Sequence, residues 1–535
     1  VAALDRVRVG LGNDEHAQRR FLRSRIRVYE SMADLLARAL EGETDEARRR
    51  ALMNEALEFV GRSRFELLQD GARGVAGTGS ASLDSLLERI EKARREAARL
   101  EKEIENARAA GNEDLERELT RVLATTLESL AELHDNLVAA DPDFAARVKF
   151  NPAYLREVSV LPEKARLLLL FPGEETLFLW VYDRDGIVAW KQHAIPRAEL
   201  YGLVGEFRAL IDEVIEKVRD SKGRGFGPAA EADASNPEWY RENCRRMREV
   251  LTRLHGHLVA PVAEEIAGAE PLLIVPYGWL NYLPFEALLD GKGAFLGETV
   301  PLAYFVHFDH LRDSLGRLRA PPRRAEDVWV AYADPVGRLR TALEEAAEIG
   351  PLFEKRAVFT KATGDATEDS LFSVREDCTI LHFATHGFLN GVQPASTYLE
   401  LAPGAAEDGK LMQKEVWPRL QSRMPCLKRG NLRLVVLSAC ETARAANAPE
   451  AEVLGMPDKF CAAGSPAVVA SLWSVYTWST TDFMIEFYKH LTGDGDREIA
   501  AAMLAARRAL LADRAKGRYA HPYYWAPFLL FGDWR

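Results

Sequence analysis

Residues 379–387 read TILHFATHG. An apolar run of strand length, rich in β-branched and aromatic side chains, stops at Thr385, and His386 and Gly387 follow at once. The pattern recurs on either side in DVWVAYAD (327–334), LRLVVLSAC (432–440) and PAVVASLW (466–473). Each run is apolar at almost every position, so both faces of the strand are expected to be buried, as in a parallel sheet covered by helices. Helical patterns separate the runs, at Leu339 to Lys355, Met456 to Ala463, Ser479 to Leu491 and Arg497 to Leu511. Strands alternating with helices in this way predict an α/β unit with a mostly parallel sheet flanked by helices.

Upstream, ARLLLLF (165–171), ETLFLWVYD (175–183) and GIVAWKQHAI (186–195) read as paired strands, punctuated by Pro172-Gly173 and Asp185-Gly186. Two helices are expected next, at Arg197 to Arg219 and Glu238 to Ala267, joined by the polar loop SKGRGFGPAAEADAS (221–235). PLLIVPYGWLNYLPFEAL (271–288) then reads as a buried strand entering a Pro- and Gly-punctuated loop.

Before residue 146 two stretches show helical periodicity. Ala17 to Leu68 reads as a helix pair, and GARGVAGTGS (71–80) as a hinge. Leu83, Leu86, Ile90, Ala93, Ala97, Leu100, Ile104 and Ala107 then alternate steps of three and four, a heptad seam. After the turn signal Gly111-Asn112 a returning helix carries Leu115, Leu119, Val122, Leu127, Leu130 and Leu137, so an antiparallel coiled-coil hairpin is expected. The expected domains are 1–75, a helix pair; 76–145, the hairpin; and 146–322 and 323–535, the two halves of the α/β region.

The formal net charge of -11 over 535 residues weighs against broad nucleic-acid binding, which is driven by cationic contacts to phosphate. RRFLRSRIR (19–27) is only a small basic patch. Hydrophobic residues at 47% and charged residues at 28% describe a chain that folds. Cys244, Cys378, Cys426, Cys440 and Cys461 form no C-x-x-C pair, so neither a disulfide framework nor a zinc site is signalled, and a reducing cytoplasm fits. No run approaches the roughly 20 apolar residues of a membrane span, and no secretory segment opens the sequence.

In open α/β sheets functional groups gather just past the carboxyl ends of the strands. His386 and Cys440 both occupy such ends, 54 residues apart, with the strand candidate TYLELA (397–402) and GKLMQKEVWPRL (409–420) between them. If their strands lie close, imidazole and thiol meet in one cleft. The thiolate attacks a carbonyl while the imidazole takes the proton and later returns it to the leaving amine. The backbone N–H groups of Gly387 and Cys440 are candidate oxyanion donors, and Glu441 is a candidate for orienting substrate or the dyad, with a solvated loop carboxylate the alternative. His382, four residues before His386, suggests H-x-x-x-H metal binding, but its strand context favours a core role. Trp473, Tyr476 and Trp478 read as core-finishing aromatics rather than a substrate groove.

LHFATHGF (381–388) and LVVLSACETA (434–443) resemble the CHAT domain, a caspase-like peptidase domain associated with tetratricopeptide repeats and related to caspases and separases. IVPYGWLNYLPFEAL (274–288), GSPAVVASLW (464–473) and HPYYWAPFLLFGD (521–533) extend the resemblance, in the family's order, over about Ala165 to Arg535. The resemblance implies a His386–Cys440 dyad, endopeptidase activity on a protein substrate, no cofactor, and a first half that is a degenerate caspase-like unit. It also implies that the N-terminal helices are the end of a tetratricopeptide-like region through which an activating protein or complex acts, in bacterial regulation or defence. Basic-specific relatives hold an Asp two residues before the nucleophile. Ser438 stands there, so a strong preference for Arg or Lys is not expected unless Glu452, Asp458 or another loop acid takes that place. The alternative class is a catalytically silent caspase-like scaffold, and both dyad residues being present disfavours it.

Overall fold

Strands that read as unbroken apolar runs take the interior of one sheet, because such a run gains most when both its faces leave water. The computed structural model describes scattered positions between 32 and 126, and residues 158–220, 237–305, 308–319, 326–388, 397–405, 407–438, 455–475, 477–493, 498–512 and 519–535. The chain divides into two compact units, Val1–Ala153 and Tyr154–Arg535.

Most described positions of the first unit are helical, with Leu40, Met53, Ala56 and Leu100 buried and Leu35, Leu115 and Val122 exposed. Asn112 caps the helix that carries Leu115, its Oδ1 accepting the Leu115 N–H at 3.2 Å. The expected helix pair and coiled-coil hairpin extend over residues that lie outside the described ones.

The second unit is built on an eleven-stranded mixed sheet. In chain order the strands of the unit are β1 (Arg166–Pro172), β2 (Thr176–Asp183), β3 (Gly186–Ala194), β4 (Leu272–Val275), β5 (Leu302–Tyr304), β6 (Val328–Ala333), β7 (Lys355–Thr360), β8 (Ile380–Ala384), β9 (Gly387–Phe388), β10 (Tyr398–Glu400), β11 (Lys410–Met412), β12 (Leu434–Ser438), β13 (Ala467–Ser471) and β14 (Phe528–Gly532). Their order across the sheet is β3-β2-β1-β4-β5-β14-β13-β12-β8-β6-β7, and β9 to β11 form a separate three-stranded sheet. Antiparallel pairing is confined to β1–β2, β2–β3 and β13–β14; the other neighbours in the large sheet run parallel. Every residue of β4, β6, β8, β12, β13 and β14 is buried, whereas the edge strands β3 and β7 are largely half-exposed.

β14 lies between β5 and β13, so strands from before and after residue 323 share one sheet. Gly532 makes the close pass possible: its φ is +92°, and a Cβ there would sit 2.3 Å from the Pro466 carbonyl oxygen.

Among the described residues, helices of at least seven residues are α1 (Arg197–Asp220), α2 (Glu238–Leu258), α3 (Phe308–Leu318), α4 (Arg340–Ile349), α5 (Gln413–Arg423), α6 (Met456–Ala462), α7 (Thr477–Thr492) and α8 (Ile499–Ala512). Two end earlier than their periodicity suggests. Pro261 follows α2 in a 3₁₀ turn, and Gly350-Pro351 follows α4, after which the chain enters β7. Asn243 of α2 donates to the Leu210 carbonyl of α1 at 3.0 Å and to Glu213 at 2.8 Å, holding these two helices in register. No helix among the described residues is long and apolar enough to cross a membrane.

Candidate active site

β8 and β12 are adjacent and parallel, and their ladder runs from Ile380↔Leu434 to Ala384↔Ser438. His386 lies two residues beyond the last pair on one strand, and Cys440 lies two residues beyond it on the other. Cys440 and Glu441 fall outside the described residues. His386 is half-buried at the carboxyl edge of the sheet, where the chain turns from β8 into β9.

Three connections fix that turn. The Thr385 hydroxyl donates to the Glu400 carbonyl at 2.6 Å, and the Glu400 N–H donates to the His386 carbonyl at 2.9 Å. On the neighbouring strand, the Asp334 N–H donates to the Ala384 carbonyl at 3.0 Å. Asp334 is buried, holds a left-handed φ of +45°, and accepts the N–H groups of Arg338 and Leu339 on Oδ1 at 2.7 and 2.8 Å. Arg338 in turn pairs with Glu400 at 2.6 Å. A strained, side-chain-capped loop beside a strand end is a common way to hold a functional edge. The loop after β6 and the hairpin after His386 are therefore braced against each other.

Gly387 is half-buried and pairs with Leu399 in the β9–β10 ladder. Ser438 ends β12 with its side chain buried, and its Oγ has no hydrogen-bond partner among the described residues.

The family model described as the CHAT domain matches residues 248–533, more than half of the chain. The chain belongs to the CHAT-domain family. Among curated proteins none matches. Among solved structures it is similar to the Saccharomyces cerevisiae separase–securin complex, at 12% identity and a TM-score of 0.47, covering 97% of this chain and 38% of that one. It is also similar to the Arg-specific cysteine proteinase gingipain R, at 11% identity and a TM-score of 0.36, covering 54% of this chain and 67% of that one. The chain thus spans about two fifths of the separase chain it matches.

Within the CHAT domain the other singled-out residues separate from the site. His382 is fully buried in β8, its Nδ1 3.0 Å from the Tyr488 hydroxyl and its Nε2 3.0 Å from Glu345 Oε1, with Trp329 against the ring. It is a core histidine, and no cluster of three or more metal-ligating side chains exists among the described residues. Cys378 and Cys426 are buried free thiols; the hydrogen bond to Cys426, together with burial, pushes the Cys378 thiol well above its usual range. Burial pushes Cys461 up to about 12. Trp473 is buried with its indole N–H donating to the Tyr523 carbonyl at 3.1 Å, which is the core role expected of it. Trp478 departs from that expectation and is 65% exposed, while Tyr476 lies outside the described residues.

The sequence did not single out Asp334, Glu400, Phe388 or Tyr398. Asp334 closes the strand run 327–334 much as His386 follows its own, so a polar residue at a third strand end was the available signal. Phe388 follows His386 by two residues, and Tyr398 and Glu400 come to the site only through the register of β9 against β10.

Proposed function

We propose that this chain is a regulated cysteine endopeptidase in which Cys440 is the nucleophile and His386 the proton carrier. The observation that carries the reading is the Ala384↔Ser438 pairing, from which both residues stand at the same offset on neighbouring strands of a CHAT domain. In the reaction His386 takes the Cys440 proton, and the sulfur attacks the scissile carbonyl carbon of a protein substrate. The N–H groups of Gly387 and Cys440 receive the oxyanion. Collapse breaks the C–N bond, the leaving amine takes the proton from His386, and water then hydrolyses the thioester to free the enzyme. No metal or cofactor enters this chemistry. Ser438, two residues before the nucleophile, supplies a small uncharged wall to the substrate pocket, and Glu441 orients the substrate.

The remaining organisation follows from the same reading. Residues 146–322 form the degenerate half of the caspase-like unit and 323–535 the catalytic half. Residues 1–75 end a tetratricopeptide-like region and 76–145 form a coiled-coil hairpin. An activating protein or complex binds these helices in a bacterial regulatory or defence pathway, and that binding aligns the loops around the dyad.

The test is proteolysis of a cell lysate by the wild type, Cys440→Ala and His386→Ala, with new termini mapped by mass spectrometry. Cuts made by the wild type and lost in both variants support the dyad. Cuts that persist in Cys440→Ala overturn it.

A further inference from the structure

The hairpin that follows His386 has two unlike faces. Alternate residues of a strand point to opposite sides, so the three-stranded sheet turns Leu399 and Leu411 inward, and both are fully buried. The outward residues form two cross-strand rows. One is Phe388, Tyr398 and Met412; the other is His386, Glu400 and Lys410. The Phe388 and Tyr398 rings stack at 4.7 Å between centroids and 19° between planes, and the Phe388 ring lies 6.1 Å from the His386 imidazole. Lys410 closes the far side, its Nζ 5.5 Å from the Tyr398 ring. Phe388 nevertheless stays 40% exposed. Single exposed apolar residues are ordinary. A stacked aromatic pair held by a ladder, open on one side and next to the proposed proton carrier, is a preformed apolar platform.

We propose that the Phe388–Tyr398 stack is a substrate subsite that takes an aliphatic or aromatic side chain from the first or second residue on the amine side of the scissile bond. The proposal rests on the peptidase reading of His386. The imidazole that protonates the leaving amine must lie beside the nitrogen of the first amine-side residue. An extended peptide advances about 3.3 Å per residue, so a platform 6.1 Å from that imidazole is within two residues of the bond. Stacking fixes the rings in advance, so a side chain laid on them loses water without ordering the platform. Lys410 at the rim makes a lysine or arginine the least favourable occupant. Covering one open aromatic face corresponds to a preference of about tenfold over serine or aspartate.

The experiment has two arms on the full chain. In the first, fluorescein-labelled octapeptides scanned with Leu, Phe, Ser, Asp or Lys at each position are titrated into the Cys440→Ala chain by anisotropy, with and without Phe388→Ala. Peptides with Leu or Phe should bind about tenfold tighter, with Phe388→Ala erasing the preference and Phe388→Leu keeping it. In the second, the termini made by the wild type in a lysate are read for an apolar excess at the first two amine-side positions, with Phe388→Ala raising KM and leaving kcat within threefold. Binding indifferent to side chain, or a preference that survives Phe388→Ala, overturns the subsite. Apolar-selective binding lost in Phe388→Ala, without cleavage under activating conditions, retains the subsite and removes the peptidase reading.

Discussion

Arg507 places Nη2 2.9 Å from Glu286 Oε1 across 221 residues of chain, and neither side chain is exposed to solvent. The same nitrogen donates to the Phe528 carbonyl at 3.0 Å, and Tyr304 donates to the other carboxylate oxygen of Glu286. Arg507 Nε and Nη1 have no hydrogen-bond partner among the described residues. Such a pair costs much to desolvate and more to break, since removing one member strands the other charge. Arg507→Ala is expected to destabilise the domain by about 3–5 kcal/mol. Glu286→Leu with Arg507→Met should recover more than half of that loss. Urea midpoints of the three proteins decide it, and a double variant no better than the single one refutes the account.

Glu368 gives the stability a pH dependence. Burial raises its carboxyl to about 7, against Arg419, which lowers it, and with Glu407, Glu415 and Asp408, which raise it further. Arg419 Nη1 lies 3.2 Å from Glu368 Oε2, and the Arg419 and Arg423 guanidinium groups lie 4.4 and 4.3 Å from the Phe372 ring. The folded state keeps a proton that the unfolded state releases near 4.5. This contribution to stability is therefore full below about pH 4.5 and is lost as pH rises through 7. Melting temperatures from pH 5 to 8 should fall more in the wild type than in Glu368→Gln. Parallel curves would remove Glu368 from the explanation.

Thiol reactivity should single out Cys440. Cys244, Cys378 and Cys426 are buried, and burial pushes the Cys461 thiol up to about 12, so it stays protonated at pH 8. Brief iodoacetamide treatment of the native chain, read by peptide mass, should modify Cys440 first, and His386→Ala should slow that step at least tenfold. Equal labelling of several cysteines before unfolding would contradict it.

His382 should matter to folding and not to a metal. His382→Leu leaves the Tyr488 hydroxyl, 3.0 Å from the imidazole Nδ1, buried without that partner, an expected loss of about 1–3 kcal/mol. Chelator treatment should change neither the melting temperature nor any cleavage of the wild type. A chelator-induced drop in stability would return H-x-x-x-H to consideration.

The interior strands were legible because their composition reports burial on two faces: LVVLS and AVVAS admit few other readings. β7 was not, since KRAVFT is a half-exposed edge whose Lys355 and Arg356 break the apolar signal, and the preceding helical pattern appeared to run into it. β5 is three residues long, too short for periodicity. At the site, His386 was visible from its place after an apolar strand. Its brace was not, because the backbone bonds of Asp334 and Glu400 can be made by any residue type, and the Thr385 hydroxyl and the Arg338–Glu400 pair find their partners only across the folded chain. The Phe388–Tyr398 stack depends on which residue faces which across a hairpin, and a one-residue slip would separate the rings.

Among the described residues β14 follows every other strand in chain order, yet it sits in the middle of the sheet, between β5 and β13. During synthesis the two groups of strands it joins are therefore made early and must wait, each with an unzipped border, for the segment that seams them. Until Phe528–Gly532 is made the sheet stays in two pieces, and the strands on either side of residue 323 become one sheet only when this segment enters.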